Sequence, residues 1–225
     1  MYSMEKNLEV ELKFQVLDEL QTKNFLKNLK FLGEKRTIDV YLDTKDGDLY
    51  KRGIFIRIRD NKKLEFKFNL ADIQSKEFSK HEQCDEFSFP LPLTQDSIRK
   101  INEVCRILGL KEVSSLEELK SKNNLIDSIV IDKVRQKFTD GKFEYSFDNV
   151  KDLGKFLEVE YRASSDEDVE KIKEEMREKL KGLNLKLITT GYNELYWRKN
   201  NFELYLQGRY LLEEDYEKFR KKFRH

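Results

Sequence analysis

The segment Leu8-Glu9-Val10-Glu11-Leu12-Lys13-Phe14 alternates apolar and charged residues without a break. Successive side chains of an extended strand point to opposite faces. Glu9, Glu11 and Lys13 therefore share one face, and Leu8, Val10, Leu12 and Phe14 share the other. Neighbouring charges on that face stand about 7 Å apart along the strand. A solvated strand shows the same alternation, so the question is whether later strands repeat it.

They do. In residues 36–44, Ile38, Val40 and Leu42 oppose Asp39, Tyr41 and Asp43. In 54–59, Ile54, Ile56 and Ile58 oppose Phe55, Arg57 and Arg59, and in 64–70 Leu64, Phe66, Phe68 and Leu70 oppose Glu65, Lys67 and Asn69. Further strands are predicted over 82–91 and 127–139. In 143–150, Phe143, Tyr145 and Phe147 oppose Glu144, Ser146 and Asp148, and in 156–163 Leu157, Val159 and Tyr161 oppose Glu158, Glu160 and Arg162. Asp60-Asn61-Lys62 reads as a hairpin turn and Asp140-Gly141 as a two-residue hairpin.

Apolar residues at helical spacing predict helices over 17–32, stopped by Gly33, and over 94–110. A capping box within Ser114–Glu118 starts a short helix. Ser164-Ser165-Asp166 caps another, running to about Leu183 with Val169, Ile172, Met176 and Leu180 as its stripe. Leu185 to Thr190 is a short apolar segment. Antiparallel strand groups separated by helices exclude a parallel sheet and suit an α+β fold, an antiparallel barrel or sandwich with helices outside. One domain over 1–225 is expected, with a partly helical C-terminal segment, 193–225.

The composition narrows the chemistry. Charged residues make up 39% of the chain, well above the usual quarter, yet 44 Lys and Arg face 43 Asp and Glu. That balance argues against generic nucleic-acid binding, which needs a basic excess. Two cysteines and two histidines leave little material for a disulfide framework, a histidine zinc site or a Ser-His-Asp triad. No run approaches the length of a membrane span and no N-terminal stretch reads as a signal peptide, so a cytoplasmic, membrane-free protein is expected.

If the charged faces look into an enclosed space, both signs must be paired or hold ligands, because desolvating lone charges is costly. Carboxylates without His or Cys suit Mg²⁺ or Mn²⁺. Arg and Lys on facing strands suit a multiply phosphorylated anion. Together they suit metal-assisted phosphoryl chemistry.

These residues carry a family resemblance. Glu9-x-Glu11-x-Lys13 resembles the opening signature of the CYTH domain, or triphosphate tunnel metalloenzymes. The likeness continues through Tyr41-Leu42-Asp43-Thr44, the stretch Leu49 to Arg59, Glu65-x-Lys67, Lys133 and Arg135, Phe147-Asp148, Leu153 to Glu160 and Gly191-Tyr192-Asn193-Glu194-Leu195. It implies an eight-stranded antiparallel tunnel that binds a triphosphate and a divalent metal, Mg²⁺ or Mn²⁺. Glu9, Glu11, Asp148, Glu158 and Glu160 would hold metal. Lys13, Arg57, Arg59, Lys67 and Arg135 would bind phosphate, with Lys133 a weaker candidate. Glu9, Glu11, Lys13 and Glu160 would be the catalytic set.

The implied activity is hydrolysis of tripolyphosphate or another triphosphate-containing small molecule, an RNA 5′-triphosphate end remaining open. A class IV adenylyl cyclase and a non-catalytic polyphosphate-binding module are the alternatives, and a homodimer is compatible with the sequence. Two departures stand out. The chain has Lys80-His81-Glu82 where the family often has Arg-x-Glu, and Thr190-Gly191-Tyr192 where a cation and Ser commonly precede the Tyr. Lys186 is the nearby cation that could replace the missing one.

Overall fold

The computed structural model describes residues 8–74, 84–163 and 167–219. Lys80, His81, Glu82, His225 and the expected cap at Ser164–Asp166 lie outside the described residues. The strands are β1 (Leu8–Val16), β2 (Lys30–Asp43), β3 (Phe55–Arg59), β4 (Lys63–Phe68), β5 (Asp85–Pro90), β6 (Ile126–Thr139), β7 (Glu144–Val150), β8 (Gly154–Ala163) and β9 (Leu185–Ile188). Their order is β5-β4-β3-β2-β6-β7-β8-β1-β9, and the registered pairs are antiparallel. The α+β class is as the sequence predicts. Instead of an eight-stranded closed barrel, the described residues form nine strands whose order has two ends, because Leu185–Ile188 pairs with β1 as an additional strand.

Contacts divide the chain into two compact units, one of Met1–Arg36 with Lys133–Ile188, the other of Thr37–Asp132 with Thr189–His225. In the first unit, Val10, Leu12, Phe14, Leu157 and Val159 form a core with Leu26, Ile172, Met176 and Leu180. The last three belong to the helix Val169–Lys179 and its C-cap, which Asp168 starts by accepting from the N–H groups of Glu170 and Lys171. The other helix of this unit is Glu19–Leu26, capped by Asp18. It is shorter than the predicted span, since the chain is already extended from Lys30 onward.

In the second unit, the apolar faces of β3 and β4 (Ile56, Ile58, Leu64, Phe66) pack on Ile101, Val104, Cys105 and Leu108 of the helix Gln95–Leu108. Burying each such side chain contributes about 1.5–3 kcal/mol. Thr94 caps this helix and Gly109 ends it in the left-handed region. Ser115 caps Leu116–Lys122 by accepting from the Glu118 N–H, while the Glu118 carboxylate accepts from the Ser114 N–H.

The turns follow their residues. Asp60 and Asn61 both adopt positive φ, which these two residue types tolerate, and close the β3–β4 hairpin. The β6–β7 connection is four residues long instead of two, because the Asp140 carboxylate accepts from the N–H groups of Lys142 and Phe143. In both units the apolar strand faces point to helices, so the charged faces point the other way.

Candidate active site

The register of the first unit aligns its charges in rows, because residues directly opposite in an antiparallel ladder share a face. Glu11 on β1 faces Glu160 on β8, and Glu160 faces Glu144 on β7. One step along, Lys13 faces Glu158, Glu158 faces Ser146, and Ser146 faces Lys137 on β6. Next, Arg135 faces Asp148, and Gln15 faces Lys186 on β9. An acidic row thus gives way to two mixed rows, each with two cations and one carboxylate. Glu9 lies opposite Arg162 in the backbone ladder.

The ion pairs set the electrostatics. Lys13 Nζ lies 3.1 Å from Glu158 and 3.3 Å from Glu11. Burial works against its ammonium, but the two carboxylates outweigh burial and hold its pKa above the ordinary value. Arg135 grips Asp148 with two hydrogen bonds of 2.7 and 2.6 Å and also donates to Glu158. Asp148 is 0% exposed and takes Lys133 at 3.2 Å as well, so it serves as the anchor of two cations. Desolvation is the main reason the Lys133 pKa falls.

Glu160 is the exception. Burial, then the charges of Glu158 and Glu11, push its carboxyl from 4.5 up to about 7, and Arg135 at 3.6 Å offsets this only in part. Glu158 shifts the opposite way, because Lys13, Arg135 and Lys133 outweigh its burial. The oxygen-only donors and the surplus negative charge at Glu160 fit a hard divalent cation. Among the described residues no three acidic, His or Cys side chains are gathered to ligate one. Glu158 is engaged instead by Lys13 and Arg135.

The second unit carries its own charged face. Asp39 on β2, Arg59 on β3 and Lys63 on β4 form one row, and Tyr41, Arg57, Glu65 and Ser88 of β5 the next. Arg59 grips Asp39 with bonds of 2.7 and 3.0 Å. Arg57 donates to Glu65 at 2.7 Å and to the Tyr41 hydroxyl at 3.3 Å. Lys67 lies 2.9 Å from Glu86, whose pKa is lowered because Lys67, Arg57 and Arg59 outweigh its burial. Fixed carboxylates thus hold the guanidinium forks in place. Asp43, within the matching Tyr41–Thr44 block, is structural: its carboxylate accepts from the N–H groups of Thr44, Leu49 and Tyr50.

A family model for the CYTH domain matches residues 7–192. The chain belongs to the CYTH domain family. It is 29% identical over 196 residues to a Methanocaldococcus jannaschii protein provisionally named an adenylate cyclase, covering 84% of this chain and 98% of the relative. The PH1819 protein of Pyrococcus horikoshii has a similar fold, with a TM-score of 0.54 and 22% identity over 85% of this chain and 99% of its own. A Hippeastrum protein, provisionally an adenylyl cyclase and described as revealing a dominant triphosphatase activity, superposes with a TM-score of 0.52 at 15% identity, covering 90% of this chain and 97% of its own.

In this CYTH protein the first unit brings Glu11, Lys13, Lys133, Arg135, Asp148, Glu158 and Glu160 onto one face, and the β9 register adds Lys186 to it. The second unit brings together Arg57, Arg59 and Lys67. Sequence reasoning passed over Asp39, Glu65 and Glu86 as counter-ions, although strand parity placed Asp39 and Glu65 on charged faces. It also passed over Glu144, Lys137 and Ser146, whose importance depends on which residues oppose them. Thr190, at the departure before Tyr192, is buried and donates to the Tyr210 carbonyl at 2.7 Å. No described helix is long and apolar enough to cross a membrane.

Proposed function

We propose that this CYTH protein is a divalent-metal-dependent triphosphatase acting on tripolyphosphate or a similar triphosphate. The observation that carries the reading is the Glu11–Glu160 pair, with surplus negative charge at Glu160 one row from Lys13 and two from Arg135. Glu11 and Glu160, with Glu9 on the same strand as Glu11, would hold Mg²⁺ or Mn²⁺. When bound, such an ion neutralises phosphate charge and lowers the pKa of a water.

The chain's own residues do the rest. The Glu160 carboxyl titrates near 7 only in the metal-free fold; beside a bound cation it would be ionised and would orient the attacking water as a hydrogen-bond acceptor. Lys13 and Arg135 are oriented by Glu158 and Asp148 before substrate arrives, so they stabilise charge on phosphoryl oxygens without reorganising. Arg57 and Arg59, each fixed by a carboxylate, offer planar forks to phosphate, and Lys67 adds a point charge. Lys186 would add a further cation to the charged face of the first unit. We place all of this in a single domain, extended at its C-terminus.

A second reading follows from the name of the M. jannaschii relative: attack by a ribose hydroxyl on the α-phosphate of ATP, giving cyclic AMP and pyrophosphate. The charge inventory serves both reactions. Incubation with tripolyphosphate, ATP, GTP and thiamine triphosphate, each with Mg²⁺ or Mn²⁺, separates them. Orthophosphate release is expected; cyclic AMP as the main product from ATP would replace the hydrolase with the cyclase. Binding without turnover under every condition would leave only a polyphosphate-binding module.

A further inference from the structure

Ser146 is 0% exposed, and its Oγ makes no hydrogen bond among the described residues. A buried hydroxyl without a partner is costly, and such groups are explained by a missing ligand or by strain. Register fixes its surroundings. Lys137 and Glu158 lie directly across the two adjacent ladders, and Glu144 and Asp148 sit two residues either way on the same face of β7. Glu158 is engaged by Lys13 and Arg135, and Asp148 by Lys133 and Arg135. The hydroxyl therefore lies among carboxylates already committed to cations, and beside one further ammonium.

That ammonium is Lys137, third on a face of β6 that also carries Lys133 and Arg135. It is 42% exposed and pairs with the half-exposed Glu144 at 3.1 Å. An exposed pair of this kind contributes little, so the lysine can exchange partners at small cost. A hydroxyl donor beside a mobile ammonium suits an anion, whereas a cation there would meet the ammonium's repulsion.

We infer that Ser146 and Lys137 form an additional phosphoryl-oxygen subsite, which rests on the triphosphate reading above. The Ser146 hydroxyl donates to a non-bridging oxygen, and Lys137 moves from Glu144 to the same phosphoryl group. The subsite lies between the acidic row and Arg135, where it would fix the phosphoryl group next to the metal carboxylates.

The test is calorimetric binding of tripolyphosphate together with steady-state kinetics, on wild type, Ser146→Ala, Lys137→Gln and the double variant. Each single change should raise Kd and KM by about tenfold or more, the scale of a hydrogen bond to a charged group, with kcat less affected. The double variant should lose less than the product of the two. Ser146→Ala should melt at or above the wild-type temperature. Unchanged affinity in Ser146→Ala with a higher melting temperature would show a merely tolerated hydroxyl and overturn the subsite. If Ser146→Ala does not fold, unchanged affinity in Lys137→Gln, an exposed position, overturns it. Failure of wild type to bind tripolyphosphate would defeat the triphosphate reading as well. Loss of turnover in Glu11→Gln beside unaltered Ser146→Ala and Lys137→Gln affinities would defeat the subsite alone.

Discussion

Glu11 on β1 and Glu160 on β8 stand directly opposite each other in an antiparallel ladder, with Glu144 on the far side of Glu160. Like charges so placed repel, which destabilises the ladder unless protons or cations intervene. A neutral amide at either position removes the repulsion and the proposed metal ligand together. Glu11→Gln and Glu160→Gln should each lower metal-dependent phosphate release by at least about a hundredfold, with no loss of melting temperature. Near wild-type turnover in both would sink the metal-site assignment.

The same pair predicts how stability responds to pH. The Glu160 carboxyl titrates near 7 in the fold against 4.5 ordinarily. Between those values the native state holds a proton that the unfolded chain has lost, so this group's contribution falls as pH rises from about 4.5 through 7. Its ceiling is about 3 kcal/mol, to be discounted for partial exposure. Urea unfolding of metal-free protein at pH 5 and pH 8 should show this decline, and the decline should be reduced in Glu160→Gln.

Asp148 makes the opposite prediction. It is fully buried and neutralises Lys133 and Arg135. Asp148→Asn would leave those cations under-compensated, at a cost of about 3–5 kcal/mol. Denaturant titration should show a lowered midpoint, whereas an unchanged midpoint would mean the charges have other compensation.

Lys67 is paired with an exposed partner, Glu86, so its loss should cost the fold little. Lys67→Ala should raise KM for tripolyphosphate severalfold while leaving kcat and melting temperature close to wild type. A fall in kcat with KM unchanged would move Lys67 from binding to transition-state stabilisation.

Gly208 tests the anchoring of the C-terminal segment within the second unit. A Cβ there would collide with the Tyr50 ring and hydroxyl, and that hydroxyl donates to the Tyr205 carbonyl. Gly208→Ala should therefore destabilise by about 1–3 kcal/mol, read as a lower melting temperature.

Strand parity made much of this protein legible without coordinates. The alternation in Leu8–Phe14, Ile54–Arg59 and Leu64–Phe68 determined which side chains share a face, because a strand has only two faces. The helix cap at Ser115 was legible for a similarly local reason: its hydroxyl needs only an N–H three residues on. Parity says nothing about which strands become neighbours or in what register. Tertiary pairing alone buried Glu160 beside Glu158 and Glu11, and so raised its pKa. It also committed Asp148 to two cations, left the Ser146 hydroxyl without a partner among the described residues, and drew Leu185–Ile188 into the sheet as a ninth strand. Those outcomes depend on contacts between residues far apart in sequence, where a shift of one residue would exchange every face.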